Sequence, residues 1–147
     1  MTDTVDKEQN RSRPNETRVE GDVVIHRSVG SQNVEDIKHL FAIAQAVYER
    51  YGYALILLDG SQSGVLTPEA RKYQSDFFRK QILPSHTALY GSGWLLRTAV
   101  TLTMRATELM TGTVVPVTLV ADEQAARQVL ADARERFRAQ GIAKSPK

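Results

Sequence analysis

Tyr53-Ala54-Leu55-Ile56-Leu57-Leu58 is a continuous apolar run of strand length. A strand that carries no polar alternation is covered on both faces, which makes it the centre of a sheet with layers on either side. Immediately upstream, Val34, Ile37, Leu40, Phe41, Ala44, Val47, Tyr48 and Tyr51 recur at spacings of three and four, the pattern of a helix with one buried face. Asn33 caps its start, Glu35 and Asp36 complement the exposed amides of its first turn, and Gly52 ends it.

Working outward toward the C-terminus, Asp59-Gly60-Ser61-Gln62-Ser63-Gly64 reads as a loop by composition. Thr67-Pro68-Glu69 then opens a second helix, with a capping hydroxyl, a proline at the first helical position and an acid behind it. This helix is predicted to run to about Gln81, with a narrow apolar face of Ala70, Tyr73 and Phe77, and Phe78 directed at a neighbouring helix or a partner. Pro84 breaks the chain before a short strand, His86 to Tyr90, and Gly91-Ser92-Gly93 turns into a third helix from Trp94. There Arg97, Thr101, Arg105 and Glu108 form one polar stripe on an otherwise apolar cylinder, so this helix is expected to be buried on most sides. Gly112 stops it. Val114 to Val120 is a last strand whose Pro116, unable to donate to a ladder, places it at a sheet edge or its start outside the sheet. Asp122-Glu123 caps a final helix whose inner face is Ala126, Val129, Leu130, Ala133 and Phe137.

Toward the N-terminus, Arg18 to Arg27 reads as a hairpin about Glu20-Gly21-Asp22 leading into the strand Val23-Val24-Ile25. Residues 1–16 hold almost no large apolar side chain and read as a disordered tail, unlike a signal peptide or anchor. Residues 17–140 form the domain, and 141–147 a frayed end. Strands alternating with helices through long connections imply right-handed crossovers and a mostly parallel sheet of about four to five strands with about four helices, an α/β architecture. The loops after Leu58 and Tyr90 then share the carboxyl rim of the sheet, where ligands of α/β proteins bind.

The 147 residues, 41% of them hydrophobic, suffice for one core. Cysteine is absent, which excludes disulfides and thiolate chemistry and is in keeping with a cytoplasmic setting. Nineteen bases and seventeen acids are interspersed to a net charge of +2, without the one-sided basic surface of a nucleic-acid binder. Arg97, Arg105 and Glu108 make the most apolar helix unsuited to cross a bilayer.

Four stretches carry a resemblance to a known family: the strand ending Leu57-Leu58-Asp59; the helix start Thr67-Pro68-Glu69-Ala70-Arg71; Tyr90-Gly91 to Leu96-Arg97 leading into the helix with Arg105-Ala106; and Ala121-Asp122-Glu123-Gln124-Ala125-Ala126. Over roughly Arg18 to Phe137 the chain resembles the STAS superfamily, in particular its SpoIIAA-like branch of bacterial domains. The resemblance implies a small sheet wrapped by helices and, as in the best-understood relatives, a non-catalytic role in protein interaction and signalling, with regulation of sigma factors through a kinase-like partner. Those relatives carry a phosphorylated Ser in an Asp-Ser-Ser-Gly-type motif. The equivalent stretch here reads Leu66-Thr67-Pro68-Glu69, in which Thr67 supplies the hydroxyl. A likeness in fold to lipid-binding CRAL-TRIO domains adds a second expectation, a small apolar ligand or lipid held between the first and third helices.

The candidate partner- or ligand-binding residues are therefore Asp59, Ser61, Ser63, Thr67 and Arg71 on the first rim loop and helix, and Ser92 and Arg97 on the second, with Thr67 the candidate phosphorylation site. Gly91-Ser92-Gly93 lacks the third glycine of a dinucleotide fingerprint and the lysine of a Walker motif. His26, His39 and His86 have no metal-ligand spacing, and no Gly-x-Ser-x-Gly elbow is present. Neither a cofactor nor a catalytic group is expected, and the partner is a protein, with pairing of two copies through an edge strand as a further option.

Overall fold

The computed structural model describes residues 15–80, 83–112 and 114–143. In chain order the elements are β1 (Glu16–Glu20), β2 (Val23–Gln32), α1 (Val34–Tyr51), β3 (Ala54–Leu66), α2 (Pro68–Lys80), β4 (Ser85–Tyr90), α3 (Trp94–Thr111), β5 (Val117–Leu119) and α4 (Glu123–Ala139). They build one five-stranded sheet in the order β1-β2-β3-β4-β5. Only β1 is antiparallel, closing the hairpin at Gly21, while β2, β3, β4 and β5 run parallel. The expected α/β architecture is what forms, and residues 54–58 and 86–90 lie on adjacent parallel strands, Ala54 opposite Ser85 and Leu58 opposite Leu89.

Each crossover from β2 onward moves one strand in the same direction. With right-handed connections this sets α1, α2 and α3 on one face and leaves α4 alone on the other. Alternate residues of β3 sort accordingly. Leu55 and Leu57, with Val23 and Ala88, pack under Ala126, Leu130, Ala133 and Phe137 of α4. Ala54 and Ile56, with Val24, pack under Ile37, Leu40, Phe41, Ala44 and Val47 of α1 and Ala70 of α2. The central apolar run is thus covered on both faces because two different helical layers need it.

Local signals hold the ends. Asn33 Oδ1 accepts the Asp36 N–H at 2.9 Å and the Asp36 carboxylate accepts the Asn33 N–H at 2.9 Å, a reciprocal capping box at the start of α1. Thr67 Oγ1 accepts the Ala70 N–H at 3.2 Å at the start of α2. Asp122 Oδ1 does the same for Ala125 at 2.8 Å before α4.

Two expectations are corrected. Asp59 to Gly64 is no loop: β3 continues to Leu66, pairing with β2 from Arg27 opposite Asp59 to Gln32 opposite Leu66, with two register shifts. The reason lies in backbone pairing that composition does not report. Beyond Asp59, which pairs with Tyr90 at the end of β4, only β2 accompanies β3, so a two-stranded ribbon projects from the sheet. Asn15 ties its base by accepting the Val29 N–H at 2.8 Å and donating to Gln32 Oε1 at 2.9 Å. Gly64 is required there, since a Cβ would stand 2.9 Å from the Ser31 nitrogen.

The second correction concerns α3, which has no buried residue at all. Its apolar side chains are divided between a cleft beneath it and solvent, with Trp94 77%, Leu95 63%, Leu102 60%, Leu109 88% and Met110 74% exposed. Three helices share one sheet face. α1 and α2 occupy it by direct packing, and α3 stands off.

The tail assigned to residues 1–16 lies outside the described residues for 1–14, while Asn15 and Glu16 belong to the sheet edge. Of the end assigned to 141–147, residues 144–147 lie outside them, and Ile142 and Ala143 pack against the α4 core layer. Gln81 and the side chain of Phe78 also lie outside. Among the described residues, no helix is long and apolar enough to cross a membrane.

Candidate functional site

The seven candidate residues do not form one cluster. Asp59, Ser61 and Ser92 meet where β3 and β4 leave the sheet. Asp59 Oδ1 accepts the Ser61 N–H at 3.0 Å, and the strands approach so closely that a methyl at Gly60 would stand 3.3 Å from Ser92 Cβ and one at Gly91 3.3 Å from Ser61 Cβ. Gly91, at φ +77°, adopts the left-handed backbone that lets the chain turn out of β4. The second carboxylate oxygen of Asp59 lies 4.0 Å from Arg27 Nε, a nitrogen that is fully buried without a hydrogen-bond partner among the described residues.

Sequence reasoning passes over the neighbours that complete this corner. Tyr90 donates to Glu123 Oε1 at 3.1 Å, and Glu123 Oε2 receives Arg127 Nε at 2.9 Å. Burial, the nearby Asp59 charge and the bond to Glu123 push the Tyr90 phenol up to about 12. It remains a neutral donor across physiological pH, and the corner is a polar, hydrogen-bonded surface. Only the acid at the start of α4 and the tyrosine at the end of β4 could have signalled it, and the two are 33 positions apart.

Ser63, Thr67 and Arg71 belong to a different place, the cleft of about 850 Å³ between the sheet and the helices α1, α2 and α3. Its apolar wall includes Phe41, Ile56, Leu58, Leu89, Leu96, Val100, Met104 and Val115. Its polar wall is the β2–β3 ribbon and the start of α2, with His26, Ser28, Gln32, Ser63 and Thr67. Arg71 is the one permanently charged group among the described lining residues and is exposed at the mouth. His26 is only 3% exposed. Its Nδ1 is 2.7 Å from Thr17 Oγ1, and burial depresses its pKa, with Asp36 opposing and His39 adding to the effect, so the ring is neutral. Gln32, 4% exposed, spends its amide on Asn15 and the carbonyls of Val29 and Gly30 and holds the ribbon rather than the space in front of it. The cleft follows from the stand-off of α3, which no periodicity in the sequence reports.

Arg97 joins neither group. It projects from the polar stripe of α3 and makes no ion pair among the described residues. Among those residues there is also no group of three or more His, Cys, Asp or Glu placed to hold a metal.

No protein-family model matches the chain, and neither does any curated protein. Solved structures do. An uncharacterised protein of the DUF3478 family from Shewanella loihica PV-4, described as having a SpoIIAA-like fold, superposes with a TM-score of 0.53 at 17% identity, over 79% of this chain and 91% of that one. The anti-sigma factor antagonist SpoIIAA in its unphosphorylated form superposes with a TM-score of 0.46 at 12% identity, over 84% of this chain and 97% of that one. The architecture is the SpoIIAA-like one expected from the four sequence stretches.

Proposed function

We propose that this chain is a non-catalytic regulatory module that works by binding a protein partner at the rim where β3 meets α2. The observation that carries the reading is Thr67, whose hydroxyl caps an exposed helix start beside the ribbon, with Arg71 one turn further along. A phosphoryl group there would meet the free amides and positive end of the α2 dipole, so a change of charge alters the partner surface without disturbing the core. The resemblance around Leu66-Thr67-Pro68-Glu69 supports the same placement. The family resemblance carries the expectation of a bacterial cytoplasmic protein, with which the lack of cysteine is compatible.

Thr67→Glu is expected to change stability by no more than about 1 kcal/mol, the scale of one helix cap. It should alter retention of a kinase-like or sigma-regulatory protein in affinity purification at least about fivefold, the lower range of a coupling between sites. Equal retention by the two forms, with unchanged melting curves, sinks the phosphate-responsive rim.

The cleft supports a second reading, a sensor or carrier of a small apolar ligand. A space of about 850 Å³ lies within the usual range of ligand sites, and Arg71, the one permanently charged group among its described lining residues, favours an anionic head on an apolar body. Titration with 1-anilinonaphthalene-8-sulfonate should give saturable fluorescence at one site per chain. Val100→Trp, which fills the apolar wall, should weaken it about tenfold, equivalent to about 1.4 kcal/mol. No saturable signal with the unaltered chain counts against a ligand in the cleft.

A further inference from the structure

We infer, resting on the second reading above of the cleft as a ligand site, that its occupant is a free long-chain fatty acid bearing a hydroxyl along its chain, the hydroxyl bonded to His26 and Ser28 and the carboxylate paired with Arg71. The shape of the cleft calls for a long chain. Leu96, Val100, Thr103, Thr107 and Thr111 all line it, so it follows α3 for fifteen residues, about 22 Å. A volume of about 850 Å³ drawn out over that length suits a flexible alkyl chain better than a compact ring system.

Most polar side chains of the walls are already committed within the chain. On α3, Thr103 Oγ1 donates to the Ala99 carbonyl and Thr107 Oγ1 to that of Thr103, both at 2.9 Å, so the helix keeps these hydroxyl protons for itself. Ser63 Oγ donates to the Gly64 carbonyl at 3.1 Å, Thr67 Oγ1 caps α2, and the Gln32 amide is spent on the ribbon. His26 and Ser28 differ. His26, 3% exposed, uses Nδ1 on Thr17, and its Nε2 has no partner among the described residues. Ser28, 9% exposed, makes no side-chain hydrogen bond among them. Both line the cleft, two positions apart on β2 and therefore roughly 7 Å from each other. Ser28 also stands at a break in the ladder: Arg27 pairs with Asp59 and Val29 with Gln62, so Ser28 alone faces Gly60 and Ser61 of β3. Polar groups buried to this degree are ordinarily satisfied. The other lining residues without a side-chain hydrogen bond among the described residues, Ser31, Gln74, Ser85 and Thr87, are more exposed and open to water.

A hydroxyl is the group that fits. One proton lies between Thr17 Oγ1 and His26 Nδ1: if Nδ1 accepts it, Nε2 carries a proton and donates, and if Nδ1 donates, Nε2 accepts. A hydroxyl answers both tautomers and gives to or takes from Ser28 as well, whereas a carbonyl answers only the first. A carboxylate beside His26 would lie desolvated against a neutral ring, since burial holds the His26 pKa below its ordinary value. Arg71 is exposed at the mouth and makes no ion pair among the described residues, so the charge belongs there.

Isothermal titration calorimetry on the full chain, below the micelle concentration of each ligand, compares octadecanoic acid with its 3-, 10- and 12-hydroxy derivatives. At least one hydroxylated acid should bind about tenfold more tightly than octadecanoic acid, equivalent to about 1.4 kcal/mol. That preference should vanish in His26→Phe and fall about threefold in Ser28→Ala, a substitution small enough to keep the test open if the His26 variant fails to fold. Arg71→Gln should weaken all the acids by a similar factor and preserve the preference. Equal binding of the four acids overturns the hydroxyl assignment and leaves the cleft as a ligand site, and a preference unchanged in Ser28→Ala and His26→Phe does the same. If none of the four binds, both readings fall together.

Discussion

Replacement of Arg134 by alanine is expected to destabilise the fold by about 3 kcal/mol, the cost of removing one partner from a largely buried ion pair and leaving the other uncompensated. Arg134 Nε and Nη2 donate to the two carboxylate oxygens of Asp22 at 2.7 and 2.8 Å, and the Tyr53 hydroxyl donates to the same carboxylate. The triad joins the β1–β2 turn to β3 and α4. Burial alone would raise the Asp22 pKa, but the bonds from Arg134 and Tyr53 and the Arg134 charge outweigh it, and the carboxyl ends below its ordinary 3.8. The Tyr53 phenol, through burial and the Asp22 carboxylate, is pushed up to about 12.

A group whose pKa is lower in the folded state contributes fully above its unfolded value and loses that contribution as pH falls through the folded one. Urea unfolding of the unaltered chain should therefore show Asp22's share constant near neutrality and declining below 3.8. Arg134→Ala should flatten that decline. An Arg134→Ala protein with the same midpoint and the same acid slope as its parent would remove the triad from the account of stability.

The second large effect is a contrast between neighbours. Leu57 is 1% exposed in the layer under α4, whereas Leu58, next in sequence on the opposite face, lines the cleft. Leu57→Ala should cost about 3 to 4 kcal/mol, since it removes apolar burial and leaves a void in a packed layer. Leu58→Ala enlarges a space already there, and should cost roughly 1 to 2 kcal/mol because few packed contacts are lost. Equal losses in denaturant titrations would mean that the α3 side is as tightly closed as the α4 side.

These two leucines also show what the sequence could and could not convey. The apolar run from Tyr53 to Leu58 identified the central strand, and Asn33, Gly52, Thr67 and Asp122 marked helix ends, because caps and periodicity are local physics written in adjacent residues. The same periodicity misjudged α3: spacing reports that a face is apolar, not what lies against it. Asp59 to Gly64 misled in the other direction, since glycine and serine disfavour a strand by propensity while parallel pairing with β2 supplies the backbone bonds regardless. The Asp22 to Arg134 pair spans 112 positions and left no local trace. Of the candidate site, the rim placement of Asp59, Ser61 and Ser92 was legible from strand order. The transfer of Ser63, Thr67 and Arg71 to the cleft wall depended on a ribbon and a standing helix that only the tertiary arrangement creates.

Sheets wound in two directions from their middle open a crevice at the point where the winding reverses, and that crevice is where such folds ordinarily lodge small molecules. This sheet winds one way from β2 to β5 and has no such reversal, so its backbone provides no ready-made berth. A small molecule in the cleft would lie between the sheet and α1, α2 and α3, so the separation of α3 from the strands sets how much room there is.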